Sequence, residues 1–292
     1  MKGIFSALLG AFDAEGRPDL EGVRRVVRHN LELGVDGLYV CGSTGENFLM
    51  ERADKEAILK TVAEEAGGKM KLIAHIGSNV VEELDALCDQ AAEWGYDAVS
   101  AVTPYYYKFS AGEIRDYYRH IADRSKLPLI IYNIPLLTSV SLTREDFAVL
   151  FEHPNIMGVK FTAQDFYLLE RVRTLYPDKV IYSGFDEMLL SAAVLGIDGA
   201  IGSTWNVIGH WAKALLAAVE KGDLATARLI QSNINSVVDQ LLGAGLYPTL
   251  KELLALRGAA CGGCRFPMGE TTIQHKAAAM ALDAAIRAID GQ

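Results

Sequence analysis

The sequence has few cysteines and prolines and no long apolar run. Its 292 residues include 4 cysteines and 8 prolines, too few cysteines for the disulfide framework of a small secreted domain. No apolar stretch approaches the ~20 residues that cross a bilayer. The apolar start, residues 4–12, resembles a signal-peptide core behind Lys2 but lacks a small-residue cleavage site. We therefore expect a cytoplasmic protein in a reducing compartment, without a membrane partner.

Basic charge and metal-binding patterns are also scarce. The chain has 28 Lys and Arg against 37 Asp and Glu, a net charge of -9, whereas nucleic-acid-binding proteins usually present a basic surface. Its histidines show no metal-ligand spacing. Cys261 and Cys264 form a CxxC unit between predicted helices, without a second ligand pair nearby; we interpret it as structural, with reversible oxidation as the alternative. We expect no nucleic-acid partner, no metal and no cofactor.

What the sequence does contain is one repeated theme, an apolar strand followed by an amphipathic helix. Strands that are apolar on both faces indicate a parallel sheet covered on both sides by helical crossovers. The regular spacing of these units predicts an α/β fold, a (β/α)8 TIM barrel, rather than a doubly wound open sheet. The predicted strands are Gly3–Leu9, Gly37–Cys41, Lys71–Ile76, Ala98–Val102, Pro128–Tyr132, Ile156–Phe161, Val180–Ser183 and Gly199–Ile201.

Beyond about residue 222 the strand pattern ends. Asp223–Leu242, Tyr247–Arg257 and Glu270–Ile289 are predicted as helices. We divide the chain into a catalytic barrel, residues 1–221, and a C-terminal helical extension, residues 222–292. We expect this appendage to pack on the barrel, because no Pro- or Ser-rich linker separates the two. Elsewhere, Glu64-Glu65 and Glu82-Glu83 are interpreted as solvated helix faces.

Candidate site residues follow the predicted strands at their carboxyl ends, where (β/α)8 barrels carry their active sites. Gly42-Ser43-Thr44-Gly45-Glu46 follows the second strand; its hydroxyls and backbone amides could hold a carboxylate, and a plain glycine turn is the alternative. Ser203-Thr204 is a similar hydroxyl pair after the eighth strand. Asp186-Glu187 follows the seventh strand and could serve a polyol substrate or simply favour the first turn of a helix.

Lys160 is the most informative residue, because it lies in the sixth strand with apolar residues on both sides. Lysine is rarely buried without cause. Desolvation lowers its pKa, and the neutral amine can attack a carbonyl to form a Schiff base; the alternative is a strand-end lysine whose ammonium group reaches solvent. Tyr132 ends the neighbouring fifth strand and is either core filling or a phenol that relays protons. Their equivalent positions favour the Schiff-base hypothesis.

Aromatic residues near the ends of the third and fourth strands leave two interpretations open. Tyr105-Tyr106-Tyr107 follows the fourth strand. Because successive side chains alternate in direction along an extended chain, at least one of the three is expected to face a cleft or a neighbouring subunit. His75 ends the third strand and either lines the cleft or is a satisfied core histidine.

Taken together, the motifs resemble the superfamily of dihydrodipicolinate synthase and N-acetylneuraminate lyase, which are pyruvate-dependent class I aldolases. The resemblance covers nearly the whole chain. Leu136 and Leu137 stand where synthase members carry an arginine, so the lyase branch is the better match. The matching motifs are Gly42-Ser43-Thr44-Gly45-Glu46, Tyr132-Asn133-Ile134-Pro135, Gly158-Val159-Lys160-Phe161-Thr162, Gly184-Phe185-Asp186-Glu187 and Gly199-Ala200-Ile201-Gly202-Ser203-Thr204.

This resemblance implies a reaction and a role for each candidate residue. Lys160 would form a Schiff base with pyruvate, Tyr132 would relay protons, and Ser43 with Thr44 would bind the pyruvate carboxylate. The implied reaction is reversible cleavage of N-acetylneuraminate, a sialic acid, to N-acetylmannosamine and pyruvate. The sugar hydroxyls would contact Thr162, Gly184, Asp186, Glu187 and Ser203.

The resemblance also implies an assembly, and it leaves other functions to be compared. Tyr106 would reach into a neighbouring subunit of a homotetramer built as a dimer of dimers. The alternatives within the enzyme class are a dihydrodipicolinate synthase, a 2-keto-3-deoxy sugar acid aldolase and a metal-dependent aldolase. A catalytically silent sensor of a sialic acid or keto acid is the alternative from another class.

Overall fold

Eight parallel strands form a closed barrel in chain order, with the last strand paired to the first. The structure, a computed structural model, describes residues 1–291. The closed barrel confirms the predicted fold class and rules out the open doubly wound sheet. The strands are β1 (Gly3–Ala7), β2 (Gly37–Val40), β3 (Lys71–His75), β4 (Ala98–Val102), β5 (Leu129–Asn133), β6 (Ile156–Phe161), β7 (Val180–Ser183) and β8 (Gly199–Gly202).

Helices follow the strands and form the outer layer of the barrel, and further helices complete the chain. They are α1 (Leu20–Leu33), α2 (Arg52–Ala66), α3 (Val81–Glu93), α4 (Ala111–Arg124), α5 (Pro135–Thr138), α6 (Arg144–Phe151), α7 (Phe166–Leu175), α8 (Leu189–Val194), α9 (Trp205–Glu220), α10 (Leu224–Ala244), α11 (Leu246–Leu256) and α12 (Ile273–Asp290).

Local sequence signals fix where several of these elements begin and end. Helix α4 begins with a capping box in which Ser110 Oγ accepts from the Glu113 amide at 3.3 Å, while the Glu113 carboxylate accepts from the Ser110 amide at 2.7 Å. Strand β5 begins one residue after the predicted start, because Pro128 has no amide hydrogen to donate to a ladder. Such differences move element ends by one or two residues and leave the order of elements unchanged.

The strands are buried on both faces. Inside the barrel, Phe5, Tyr39, Ile130 and Tyr182 belong to one apolar cluster, and a larger cluster fills the layer between strands and helices. The strand register pairs Tyr132 of β5 with Lys160 of β6. The barrel interior therefore presents these two candidate residues side by side.

The helices after residue 222 contact the loops at the carboxyl ends of β7 and β8. On α10, Gln231 accepts from the Leu190 amide at 2.7 Å and donates to the Asp186 carbonyl at 3.1 Å. After α11, Arg257 donates to the Val207 carbonyl at 2.7 Å. The C-terminal helices thus form the appendage of the predicted fold class, while the division of the chain at residue 221 stays a prediction.

The interpretation of both glutamate pairs as solvated is wrong for one member of each. The Glu83 side chain is only 15% exposed, because its carboxylate lies 2.5 Å from the Nζ of the buried Lys55. The Glu65 side chain is 18% exposed and lies 2.7 Å from Arg28 Nε. Helix periodicity alone does not reveal such partners, which come from neighbouring helices.

Candidate active site

A cavity of about 370 Å³ opens at the carboxyl ends of the strands. Tyr106 does not line it; this side chain is 87% exposed in its own chain. The other predicted site residues meet in the cavity wall: Ser43, Thr44, Tyr132, Lys160, Thr162, Gly184, Asp186, Glu187 and Ser203. They come from segments far apart in the sequence, and closure of the barrel brings them together.

The Lys160 amine is buried among aromatic rings at the base of this cavity. The residue is 4% exposed, and its Nζ lies 4.1 Å from the centroid of the Tyr132 ring and 4.4 Å from that of the Tyr39 ring. Burial lowers the pKa of Lys160 to about 7, although the Asp186 carboxylate opposes the shift. A large share of the amine is therefore neutral and nucleophilic near pH 7.

Tyr132 presents its phenol beside that amine. The residue is 3% exposed, and burial raises its pKa, while the nearby hydroxyls of Ser43 and Thr162 oppose the shift. Its ring makes edge contacts with the rings of Tyr39 and His75, with centroids 5.9 and 6.0 Å away. This packing holds a protonated phenol in one orientation, from which it can donate and accept hydrogen bonds.

The hydroxyl-bearing turn after β2 contributes to the same cavity wall. Ser43–Gly45 forms a 3-10 turn in which the Gly45 amide donates to the Gly42 carbonyl at 3.0 Å. Thr44 Oγ1 lies 2.7 Å from Ser203 Oγ, so the turns after β2 and β8 are hydrogen-bonded to each other. Ser43 and Thr44 both line the cavity, so the turn presents two hydroxyl-bearing residues to it.

Asp186 and Glu187 occupy the loop after β7 in different environments. Asp186 is 7% exposed, and its Oδ2 accepts from the Thr204 amide at 3.0 Å and from Thr204 Oγ1 at 2.7 Å. Burial raises the pKa of Asp186 to about 6. Glu187 is half-buried and also lines the cavity. Both residues also begin the 3-10 turn Asp186–Met188, so the two sequence-based interpretations of this pair are compatible.

Gly184 and Thr162 form a close contact between β6 and β7. A Cβ atom at position 184 would collide with Thr162 Oγ1, so only glycine leaves room for that hydroxyl. Thr162 Oγ1 is buried near the Tyr132 phenol but makes no well-formed hydrogen bond within the described residues. An unpaired buried hydroxyl in a cavity wall can accept or donate a hydrogen bond to a ligand.

The structure adds residues that the sequence did not identify. Tyr247 lines the cavity from α11, and Leu242 lines it from α10. Leu136 and Leu137 also line it; the sequence indicated them only by the absence of an arginine. The position of Tyr247 depends on how α11 docks, and no local sequence pattern carries that information.

His75 is a core residue and does not line this cavity. It is fully buried, and its Nε2 accepts from the Val102 amide at 3.2 Å. Burial lowers the pKa of His75 to about 3, so the ring is neutral. Of the two interpretations left open for His75, the core histidine is the one that the structure supports.

Neither metal clusters nor membrane-spanning helices occur in the described part of the chain. Within residues 1–291, no group of three or more His, Cys, Asp or Glu side chains is placed to hold a metal ion. In the same range, no helix combines the length and the apolar character needed to cross a membrane.

A (β/α)8 barrel with a buried lysine amine beside a tyrosine phenol has the arrangement of a class I aldolase, in which the amine forms a Schiff base with a carbonyl substrate. The chain belongs to the dihydrodipicolinate synthetase family, whose model matches residues 1–286.

Individual relatives resemble the chain over nearly its full length. N-acetylneuraminate lyase from Clostridium perfringens is 50% identical over 273 residues, which are 93% of this chain and 95% of that protein. The solved structure of CdNal from Clostridium difficile in complex with mannosamine matches with a TM-score of 0.96 and 47% identity, and covers 97% of this chain and 98% of that one. N-acetylneuraminate lyase from Fusobacterium nucleatum, complexed with pyruvate, matches with a TM-score of 0.93 and 44% identity over 97% and 96% of the two chains.

Proposed function

We infer that this chain is an N-acetylneuraminate lyase, which reversibly cleaves N-acetylneuraminate to N-acetylmannosamine and pyruvate. The observation that carries this proposal is the buried Lys160 amine, whose pKa burial lowers to about 7, 4.1 Å from the Tyr132 ring centroid. The substrate class follows from the relatives, because those named above are N-acetylneuraminate lyases or bind mannosamine or pyruvate.

In the proposed mechanism, Lys160 and Tyr132 are the catalytic residues. The neutral amine of Lys160 attacks the keto carbon of the open-chain sugar acid, and water leaves as the imine forms. The Tyr132 phenol relays the proton from the substrate hydroxyl whose carbon becomes the aldehyde. The carbon–carbon bond then breaks, and its electron pair moves into the protonated imine to give an enamine. Protonation of the enamine and hydrolysis release pyruvate and the free amine.

We assign the pyruvate carboxylate to the turn that carries Ser43 and Thr44. Both residues line the cavity that contains the Lys160 amine. Hydroxyl groups and the first amides of a helical turn are suitable partners for an anion. In this assignment the turn binds the carboxylate while the Lys160 amine bonds the adjacent keto carbon of the 2-oxo acid.

The sugar hydroxyls are assigned to the part of the wall formed by the loops after β6, β7 and β8. The unpaired Thr162 Oγ1 and the Glu187 carboxylate lie there. Asp186 Oδ1 is likewise buried without a partner, although Oδ2 is bonded to Thr204. Ser203 and the close-packed Gly184 complete the proposed set.

The lyase is favoured over a synthase that binds a second carboxylate. Leu136 and Leu137 are 79% and 64% exposed and line the cavity where synthase members carry an arginine. Among the described residues that line this cavity, Lys160 is the one cation. A dicarboxylate would therefore meet an apolar wall in place of a charge-assisted bidentate contact.

We further propose a homotetramer, built as a dimer of dimers, in the cytoplasm. Tyr106 and Tyr107 are 87% and 69% exposed in the single chain, and exposed aromatic clusters are typical of protein interfaces. In this proposal Tyr106 reaches into the active site of a neighbouring subunit. The cytoplasmic location rests on the free thiols of the cysteines, which suit a reducing compartment.

Trapping with borohydride tests the mechanism directly. Reduction in the presence of pyruvate is expected to add a stable adduct to Lys160, located by peptide mass spectrometry. Lys160→Ala is expected to abolish both adduct and cleavage, whereas Lys179→Ala is the control, since Lys179 Nζ bonds to the Ile156 carbonyl outside the cavity. Tyr132→Phe is expected to reduce turnover much more than pyruvate binding.

Product analysis separates the lyase from the alternatives. Release of N-acetylmannosamine from N-acetylneuraminate is expected only from the lyase. An adduct without this release favours another pyruvate-dependent member of the superfamily, and ligand-induced stabilisation without turnover favours the sensor. An unmodified Lys160 after borohydride treatment contradicts the Schiff-base mechanism.

A further inference from the structure

Glu46, the last residue of the Gly42–Glu46 motif, makes a buried ionic contact with a lysine of the C-terminal helices. Its side chain and that of Lys251 on α11 are both fully buried, and Glu46 Oε1 lies 2.5 Å from Lys251 Nζ. The backbone at Glu46 is left-handed, with φ 61°, which is uncommon for a residue with a side chain. The chain thus adopts an unfavourable backbone conformation where this carboxylate is buried.

Both members of the pair are also bonded to the segment that follows α11. The Arg265 amide donates to Glu46 Oε2 at 2.6 Å, and Lys251 Nζ donates to the Gly263 carbonyl at 2.7 Å. The guanidinium of Arg265 lies 2.5 Å from Asp54 of α2. The Glu46 carboxylate therefore joins the turn after β2 both to α11, through Lys251, and to the segment after α11, through the Arg265 amide.

The Cys261–Arg265 segment is held in place by the loop after β1. The Phe12 amide donates to the Cys261 carbonyl at 3.0 Å, and a Cβ at Gly262 would collide with the Phe12 carbonyl. The Phe12 ring lies 4.8 Å from Lys251 Nζ. This packing agrees with the structural interpretation of the CxxC unit and provides a rigid support for the Glu46–Lys251 pair.

The turn with Ser43 and Thr44 is consequently fixed at two points. At one point Thr44 Oγ1 is bonded to Ser203 Oγ at 2.7 Å. At the other, Glu46 is anchored to Lys251, and the Glu46 amide donates to the Ser43 carbonyl at 3.0 Å. A displacement of Glu46 would therefore be transmitted through this bond to Ser43.

We propose that Glu46 and Lys251 are a positioning pair that holds the Ser43–Thr44 turn at the distance from Lys160 that a 2-oxo acid carboxylate requires. This inference rests on the proposed function, because it concerns the carboxylate subsite of that reaction. Neither residue is among those that line the cavity around Lys160. The pair keeps the hydroxyls of Ser43 and Thr44 in their binding positions before pyruvate arrives. Binding then costs less conformational entropy, so we expect the pair to raise the affinity for pyruvate.

The test uses the double variant Glu46→Gln/Lys251→Met, which removes both charges and leaves neither one buried alone. In the condensation direction, its KM for pyruvate is expected to rise about ten- to hundredfold, since small displacements of a binding group have effects of this size. The KM for N-acetylmannosamine is expected to be unchanged. The kcat is also expected to change little, as for loss of an interaction made equally in ground state and transition state.

The control is Lys55→Met/Glu83→Gln, which removes another largely buried ion pair. Lys55 Nζ lies 2.5 Å from Glu83 Oε1, with side chains 7% and 15% exposed, but this pair joins α2 to α3. Its loss is expected to reduce stability and leave the KM for pyruvate unchanged. If both double variants raise the KM equally, or if a folded Glu46→Gln/Lys251→Met enzyme has the wild-type KM, the positioning role is wrong.

Two further measurements keep the proposal testable if the double variant folds poorly or if the enzyme does not catalyse the proposed reaction. Glu46→Gln alone keeps an acceptor for the Arg265 amide, and a several-fold rise in KM is expected; a wild-type KM contradicts the proposal. In ligand-free protein, amide hydrogen exchange of residues 42–47 is expected to accelerate in the Glu46/Lys251 variants and not in the control. Unchanged exchange overturns the positioning role, whereas a wild-type enzyme without a pyruvate adduct overturns the proposed function instead.

Discussion

At the scale of single residues, Lys160 shows how burial prepares a nucleophile at a cost in stability. The aromatic faces of Tyr39 and Tyr132 lie 4.4 and 4.1 Å from its Nζ and favour the ammonium form. Desolvation outweighs this attraction and lowers the pKa to about 7 from the ordinary lysine value of 10.5. The folded state therefore binds a proton at this site less tightly than the unfolded state does.

The sign of this shift determines how stability depends on pH. Between pH 7 and 10.5 the unfolded chain binds more protons at Lys160 than the folded chain, so the destabilising effect of this site decreases as pH rises. Below pH 7 both states are protonated and the full cost of burying the charge is present.

We therefore expect Lys160→Met to be more stable than the wild type, by on the order of 3–5 kcal/mol at pH 6. The gain should shrink as pH rises towards 10. Thermal unfolding at both pH values measures it, with the exposed Lys69→Met as a control expected to change stability by less than about 0.5 kcal/mol. A Lys160→Met variant that is no more stable than wild type at pH 6 would show that the ammonium is well solvated.

At the scale of secondary structure elements, replacing glycine by alanine is expected to affect stability in opposite directions at Gly184 and Gly112. A Cβ on Gly184 would collide with Thr162 Oγ1, whereas a Cβ on Gly112 in α4 would meet nothing closer than Ser110 Oγ at 3.8 Å. Gly184→Ala must therefore separate the ends of β6 and β7 or rotate Thr162. Gly112→Ala only reduces the freedom of the unfolded chain.

We expect Gly184→Ala to destabilise the protein by about 1–3 kcal/mol and to lower kcat/KM for N-acetylneuraminate by at least about tenfold. The borohydride-trapped pyruvate adduct should still form, because the loop after β7 is assigned to the sugar. Gly112→Ala is expected to stabilise by about 0.5 kcal/mol and to keep full activity. Chemical denaturation and steady-state kinetics measure both variants, and full activity in Gly184→Ala would contradict the assignment of this loop.

The elements themselves were predictable from the sequence because their signals are local. Apolar runs bounded by glycine and proline gave all eight strands to within two residues, and the rarity of buried lysine singled out Lys160. Tyr39 and Tyr247 were not identified as site residues. Tyr39 resembles any apolar strand residue, and Tyr247 reaches the cavity only through the docking of α11.

At the scale of the whole molecule, the C-terminal helices support the loops that carry the site. Gln231 bonds to the Asp186 carbonyl after β7, and Lys251 pairs with Glu46 after β2. The two loops follow different strands, so the helices after residue 222 connect parts of the cavity wall that are far apart in the sequence. This long-range support has no local sequence signal, because each contact joins residues far apart in the chain.

The proposed tetramer predicts that two inactive variants restore activity when they assemble together. Tyr106 is 87% exposed with a left-handed φ of 75°, a conformation that costs about 1 kcal/mol and that a contact with a neighbour would offset. The protein is expected to sediment at four times its 31.8 kDa chain mass. If Tyr106 serves a neighbouring site, co-expression of Tyr106→Ala and Lys160→Ala chains gives mixed oligomers. Some of their sites then combine an intact Lys160 from one chain with an intact Tyr106 from the other.

Random assembly of these chains in a symmetric oligomer should restore about a quarter of wild-type activity per site, although each variant alone is nearly inactive. Tyr132→Ala with Lys160→Ala is the matched control, because both residues line the cavity of one chain and no mixed assembly restores a complete site. Activity assays on purified mixed oligomers, with sedimentation to establish their mass, distinguish the cases. Recovery in both mixtures would show that restored activity does not depend on Tyr106 crossing the interface, and recovery in neither would place Tyr106 outside the neighbouring site.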